Sequence, residues 1–286
     1  MDNLKAKKRH PEEIAVYSAI YVCAAFSVLL LLGIIIYVFA KGARRVNWAF
    51  LTGVTSILHG TVGIAGNILN TLIIILLTMI ITTPIGVGAA IYLNEYAKPG
   101  KLVTVIIFAT ETLAGIPSII FGLFGMLFFG QLCHMGYSLL TGSLTLTLMV
   151  LPLVTRNTQE ALKTVPDSFR TGAVGLGAGK WYTIRTILLP SAMPEIVTGV
   201  ILAIGRIIGE SAALLFTAGS AHLLPKTFDA FLEKIFHSGG TLTIQLYLSA
   251  SKGEFEVAFG IAVVLLVIVL LINFGTKRLA KKLEKH

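Results

Sequence analysis

The chain has 286 residues, 55% of them hydrophobic and only 13% charged, with a mean hydropathy of +0.85. That balance excludes an ordinary soluble domain. The net charge of +9 comes without basic runs interleaved with aromatics, so it gives no reason to invoke nucleic acid. A lipid bilayer is the partner it implies.

A bilayer core takes about 20 apolar residues of helix, and six segments qualify. Residues 1–15 form a basic tail with Lys5, Lys7, Lys8 and Arg9. The first span, Val16–Phe39, is longer than the apolar part of a cleaved signal and no small-residue cleavage site follows it, so it reads as retained. Residues 40–71 form an outer loop in which Trp48 and Phe50 suit a membrane interface. Span two, Leu72–Leu93, carries Thr82-Thr83-Pro84 with Gly86 and Gly88, a bend signal, and closes on Tyr92–Tyr96 before a turn at Pro99-Gly100. Span three, Val103–Gly130, is interrupted by Gly115-Ile116-Pro117-Ser118. Proline removes a helical hydrogen bond and disfavours helix at the residue before it, so a kink or break near mid-membrane is expected.

Span four is Ser138–Thr155, span five Ile196–Ala218 and span six Val257–Gly275, with a second outer loop over 219–255. The tail 276–286 holds Lys277, Arg278, Lys281, Lys282 and Lys285. No span alternates as barrel strands do. The fold class is therefore an all-α integral membrane protein, with six transmembrane helices in one domain, 16–275. With both termini in the cytoplasm, sixteen Lys and Arg fall on inner segments and six on outer ones, which satisfies the positive-inside rule.

Catalytic and metal chemistry find no support. Cys23 and Cys133 have neither metal-ligand nor disulfide spacing and read as free thiols. His59, His134, His222 and His237 make no metal spacing. Gly172–Lys180 imitates a phosphate-cradling loop, but Trp181 follows the lysine where Ser or Thr is required. No cofactor is expected.

The polar stretch 156–190 between spans four and five reads as a docking element. Pro166-Asp167-Ser168 predicts a short helix with Asp167 or Ser168 as cap. Glycines 172, 175, 177 and 179 then break the pattern, and Lys180-Trp181-Tyr182 begins a second short helix.

Span five carries Arg206 near its middle and Glu210 four residues on, one helical face for both. Arginine at that depth costs about 2.5–3.5 kcal/mol on insertion scales, so it must meet protein, water or an anion. One reading is an ion pair that fixes packing. The other is a polar stripe along an anion path, the guanidinium fork matching two oxygens of an oxyanion. Glu111 is a second intramembrane carboxyl with a structural and a functional reading; near the path it would accept the proton that hydrogen phosphate carries and sulfate lacks. Gly205 and Gly209 are spaced for close contact with another helix, and Glu195 reads as a charge at the start of span five, favoured by the helix dipole.

Gly177, Ile187, Leu189 and Pro190 stand at the spacing of Gly, nine residues, Ile-x-Leu-Pro, and in this the chain resembles permease subunits of binding-protein-dependent ABC importers. The Glu-Ala-Ala part of that signature is replaced by Thr171-Gly172-Ala173. Four further stretches lie in the order found in A-type permeases of phosphate-specific importers: Ala90–Tyr96, Glu111–Gly122, Glu160–Pro166 and Gly205–Glu210. The resemblance implies a MetI-like permease fold without catalysis, in the inner membrane of a bacterium or archaeon. It implies a sister permease completing the translocation pathway, two copies of an ATPase docked at Thr171, Gly172, Ala173, Gly177, Ile187, Leu189 and Pro190, an external phosphate-binding protein, and inorganic phosphate as solute. A permease for another oxyanion (sulfate, molybdate or phosphonate) and a secondary anion transporter remain the alternatives.

Overall fold

The computed structural model describes residues 11–56, 61–225 and 227–283. Lys5, Lys7, Lys8, Arg9, His59 and Lys285 lie outside them. The chain opens with α1 (Pro11–Gly42), α2 (Trp48–Thr52) and a small antiparallel hairpin, β1 (Val54–Ser56) with β2 (Thr61–Ile64). It continues as α3 (Ala65–Ile91), α4 (Lys101–Gly115), α5 (Ser118–Gly125), α6 (Leu139–Thr164), α7 (Asp167–Gly175), α8 (Lys180–Thr183) and α9 (Leu189–Gly209). The last elements are α10 (Ala212–Thr217), α11 (Phe228–Glu233), α12 (Leu242–Ser251) and α13 (Phe255–Leu283). Five unbroken helices are long and apolar enough to cross a membrane, and a sixth span results if the bent pair α4–α5 counts as one. The bend there is 101°, at the predicted proline. The hairpin departs from the all-helical expectation; it lies in a loop between spans.

The core is built around α6, which packs on α3, α9, α5 and α10. It has the lowest hydropathy of the five unbroken spans and is the most buried of them. Lipid tails are as apolar as leucine, so small and polar residues rather than greasy ones bring membrane helices together. Along α6 the hydroxyls of Ser143, Thr145 and Thr147 each donate to the carbonyl four residues back, at 2.8 Å, and so bury no unpaired polar atom. Glycine provides the close approaches: a methyl at Gly125 would collide with Thr145, and one at Gly122 would sit 2.8 Å from Ala213 Cα. Leu146, Val150, Phe121, Ile74, Ile207 and Leu214 fill the centre of this core.

By contrast α1 is exposed along its whole apolar length and touches α13 near its C-terminal end, where Gly42 packs on the backbone of Phe259. The segment 219–255, expected as a loop, is organised. Asn67 and Asn70 of α3 donate to the carbonyl of Gly240 at 2.9 and 3.0 Å, and Thr241 caps α12 by accepting from the amide of Ile244. Two more boundaries move: α3 begins at Ala65 rather than Leu72, and α6 runs through to Thr164, nine residues beyond the expected Thr155.

Candidate docking surface and polar stripe

At one end of the bundle α6 stops because Val165 precedes Pro166 and takes an extended conformation. Pro166 is itself the residue before α7, and neither Asp167 nor Ser168 caps the helix as expected; Asp167 lies inside the first turn and accepts from Arg170 Nη1 at 3.0 Å. The helix α7 closes in a Schellman turn, with the amide of Gly177 on the carbonyl of Val174 (2.9 Å) and that of Ala178 on Ala173 (2.9 Å). This turn puts Gly177 at φ +82°, a region that costs a side chain strain and glycine nothing.

The expected second short helix does not stand alone. From Lys180 the chain is helical without interruption to Gly209, through α8, a π-helical turn at Ile184–Leu188 and α9. Pro190 lacks the N–H that an α-helix uses at that point, and the wider turn directly before it lets the helix run on. Ile187 and Leu189 are half-buried and Pro190 exposed; Ile184 and Leu188 carry the packing, against Leu162, Val165 and Ile196. Of the remaining docking candidates, Thr171 and Gly172 face out and Ala173 is buried.

Sequence reasoning missed two features here. The first is Arg170. Its guanidinium donates to Glu95 Oε1 (3.0 and 3.3 Å), to Asp167, and to the carbonyls of Leu162 (2.9 Å) and Val165 (3.0 Å) at the end of α6. The Glu95 side chain is only 9% exposed and also accepts from Asn94 Nδ2 at 2.7 Å. One arginine thus joins α7, the unpaired carbonyls ending α6, and the π-helical turn Tyr92–Tyr96 that ends α3. Lys180 adds a second link, its ammonium 4.7 Å from the ring centroid of Tyr96. The second is an apolar surface of Phe169, Val174, Leu176, Trp181 and Tyr182, with Leu176 92% exposed. The available signal was these large apolar residues in an otherwise polar stretch, with no neighbours of their own to bury them.

The intramembrane charges are arranged differently from the expectation. The helix α9 ends at Gly209, and Glu210 is extended at φ −81°, ψ 125°, so Arg206 and Glu210 do not share a helical face. Glu210 instead accepts from the amide of Ala213 (3.0 Å) through Oε1 and from Thr243 Oγ1 (2.8 Å) through its carbonyl, which braces the start of α10. Arg206 is exposed, and among the described residues no ion pair engages it. A methyl added at Gly205 or at Gly209 would meet nothing within 4 Å, so their close contact is not made inside this chain. Glu195 is not at a helix start but well inside the continuous helix. With Ser191, Thr198, Leu202 and Arg206 it lies on one exposed stripe of α9. Glu111 is exposed on α4 and faces a cleft of about 180 Å³ lined by Arg156, Glu160 and Lys163 of α6, a different place from Arg206.

The family described as the binding-protein-dependent transport system inner membrane component matches residues 82–286. The sequence is 35% identical to a probable ABC transporter permease protein, YqgI, of Bacillus subtilis, over 92% of this chain and 93% of that one. It is 34% identical to the phosphate transport system permease protein PstA of Xylella fastidiosa, over 84% of this chain and 82% of the relative. The fold is similar to a chain of a bacterial alginate ABC transporter crystallised with its periplasmic protein, at TM-score 0.68 and 17% identity, covering 94% of this chain and 96% of that one.

Proposed function

Because the chain belongs to the binding-protein-dependent transport system inner membrane component family, whose members are non-catalytic permeases served by a separate ATPase subunit, we propose that it is the transmembrane permease of an ATP-driven phosphate importer. The end bearing α7 and the Schellman turn is its cytoplasmic face. One of two ATPase subunits docks there, on Thr171–Tyr182 with the apolar surface around Leu176, and the other docks on the sister permease. An extracytoplasmic phosphate-binding protein meets the opposite end, and a sister permease covers the stripe of α9, so that Arg206 lines half of the pathway.

The observation that carries this reading is the docking surface itself. Five large apolar side chains stand exposed at the end of a helix pair that Arg170 ties to α3 and α6. A soluble protein gripping that surface has a rigid lever into the bundle, and rigid-body movement of α7 is transmitted to the ends of two spans. Phosphate is favoured by the Xylella relative's name, and an oxyanion of some kind by the Arg206 guanidinium on the stripe, which no ion pair among the described residues engages.

Vesicles holding the chain with the products of its neighbouring genes provide the test. Phosphate uptake is expected only with ATP and the binding protein present, and sulfate, molybdate or phosphonate in excess is expected to leave it unchanged. Uptake without any ATPase subunit would establish a secondary transporter instead. Competition by another oxyanion would reassign the solute and leave the permease role standing.

A further inference from the structure

At the end of the bundle opposite α7, α1 and α13 form the sides of a wide cleft of about 790 Å³. Lys41, Arg44 and Arg45 line its polar part. Next to them the walls are aromatic, Tyr37 of α1 and Phe259 of α13 with their rings edge to face at 5.7 Å, and Phe255 stands at the start of α13. Glu256 stands on the same rim.

Three cations in one cleft repel one another unless an anion sits among them. Among the described residues no ion pair engages Lys41, Arg44, Arg45 or Glu256. Arg45 is held firmly, its stem against Gly260 and its guanidinium 5.8 Å from the Phe50 ring, yet its buried Nε has no hydrogen-bond acceptor. A buried donor without a partner is costly and uncommon. That Nε is closed off from the cleft, whereas the exposed Lys41 and Arg44 open onto it without an anionic partner of the kind an oxyanion supplies.

We propose that this cleft binds a phospholipid of the adjoining leaflet, with the headgroup phosphate on Lys41, Arg44 and Arg45, the ammonium of an ethanolamine on Glu256, and the acyl chains along Tyr37 and the bare face of α1. The ordering of the walls argues for lipid over free phosphate. Charge lies at the helix end and aromatic surface lies next to it, continuing into a helix exposed along its whole apolar length, which is the profile of an amphipathic molecule aligned with a membrane. Glu256 points the same way, since a carboxylate repels a bare anion and accepts an amine. The inference rests on the membrane reading of the chain and not on which solute it carries.

Native mass spectrometry of the full chain, released from bilayers of mixed phosphatidylethanolamine and phosphatidylglycerol, tests it. The variant Lys41→Gln/Arg44→Gln changes only exposed side chains and leaves Arg45 in place. A basic residue at a lipid surface contributes about fivefold to binding, so the pair should cost roughly thirtyfold in retention of one bound lipid. Glu256→Gln should shift the retained lipid from phosphatidylethanolamine toward phosphatidylglycerol while leaving lipid bound. Lys41→Arg should behave as the parent. Equal retention by parent and double variant would overturn the proposal. So would displacement of the lipid by inorganic phosphate, which would assign the cations to a free anion.

Discussion

Arg170 shows how one side chain sets the mechanics of a whole end of this molecule. Its five hydrogen bonds reach a carboxylate that is almost buried and two carbonyls that a helix end leaves without partners. Hydrogen bonds to charged groups contribute about 1.5–3 kcal/mol each, whereas the bond to Asp167, 91% exposed, contributes little. A double-mutant cycle of Arg170→Met and Glu95→Gln should therefore give a coupling energy above about 1 kcal/mol in thermal unfolding. Additive effects would show the pair to be idle. Lys234 makes a second residue-level case. It is buried beside the carbonyl of Leu223, to which its ammonium donates, and burial lowers its pKa below the usual lysine value. The unfolded chain keeps that proton at pH values where the folded chain has lost it. Stability should therefore rise with pH between the lowered and the usual value, and Lys234→Met should flatten the rise in melts run in alkaline buffers.

At the scale of the element, α7 and α9 carry the functional argument. Leu176 projects from the Schellman turn with nothing around it, the position of an anchor for a partner pocket. Leu176→Asp should cost about 2 kcal/mol of docking, roughly thirtyfold in affinity, read by co-purification of the ATPase, with the melting temperature of the permease unchanged. On α9 the exposed stripe ends at Arg206, whose guanidinium no described carboxylate neutralises. Arg206→Ala should abolish uptake while assembly with the sister permease and the ATPase survives; loss of assembly would return Arg206 to helix packing. Glu210 already accepts an amide hydrogen, so Glu210→Gln keeps that acceptor and should leave uptake near the parent's. Glu111 faces a cleft away from Arg206, so a role for it in sorting phosphate from sulfate requires the path to pass that cleft as well, and an unchanged uptake ratio in Glu111→Gln would end that idea.

For the whole molecule, the number and order of spans were legible in the sequence because twenty apolar residues in a row have few other uses. The break at Pro117 was legible for an equally local reason: the missing N–H belongs to the residue itself. What escaped depends on contacts between distant residues. Glu95 and Arg170 are 75 positions apart, and nothing in either neighbourhood announces the other. Pro194 makes Glu195 look like a helix start, yet a proline is tolerated inside a helix whose neighbours hold it, and this helix starts at Lys180. Orientation is a property of the same scale and is testable with native cysteines. Cys133 is exposed just past the π-helical stretch Met126–Leu132 that continues α5, at the end opposite α7, and Cys23 lies within α1. A membrane-impermeant maleimide should label Cys133 in right-side-out vesicles and not in inverted ones, while Cys23 stays unlabelled in both. The reverse pattern would turn the molecule over.

The polar character of α6 has a consequence for how the protein is made. A segment enters the bilayer from the translocation channel according to its own partition free energy, and the helix at the centre has the least to gain on its own. Its hydroxyls and the glycines facing it are suited to other helices more than to fatty acyl chains. During biogenesis α6 therefore needs α3 already waiting in the membrane, which makes the order in which the ribosome delivers the spans part of what the sequence encodes.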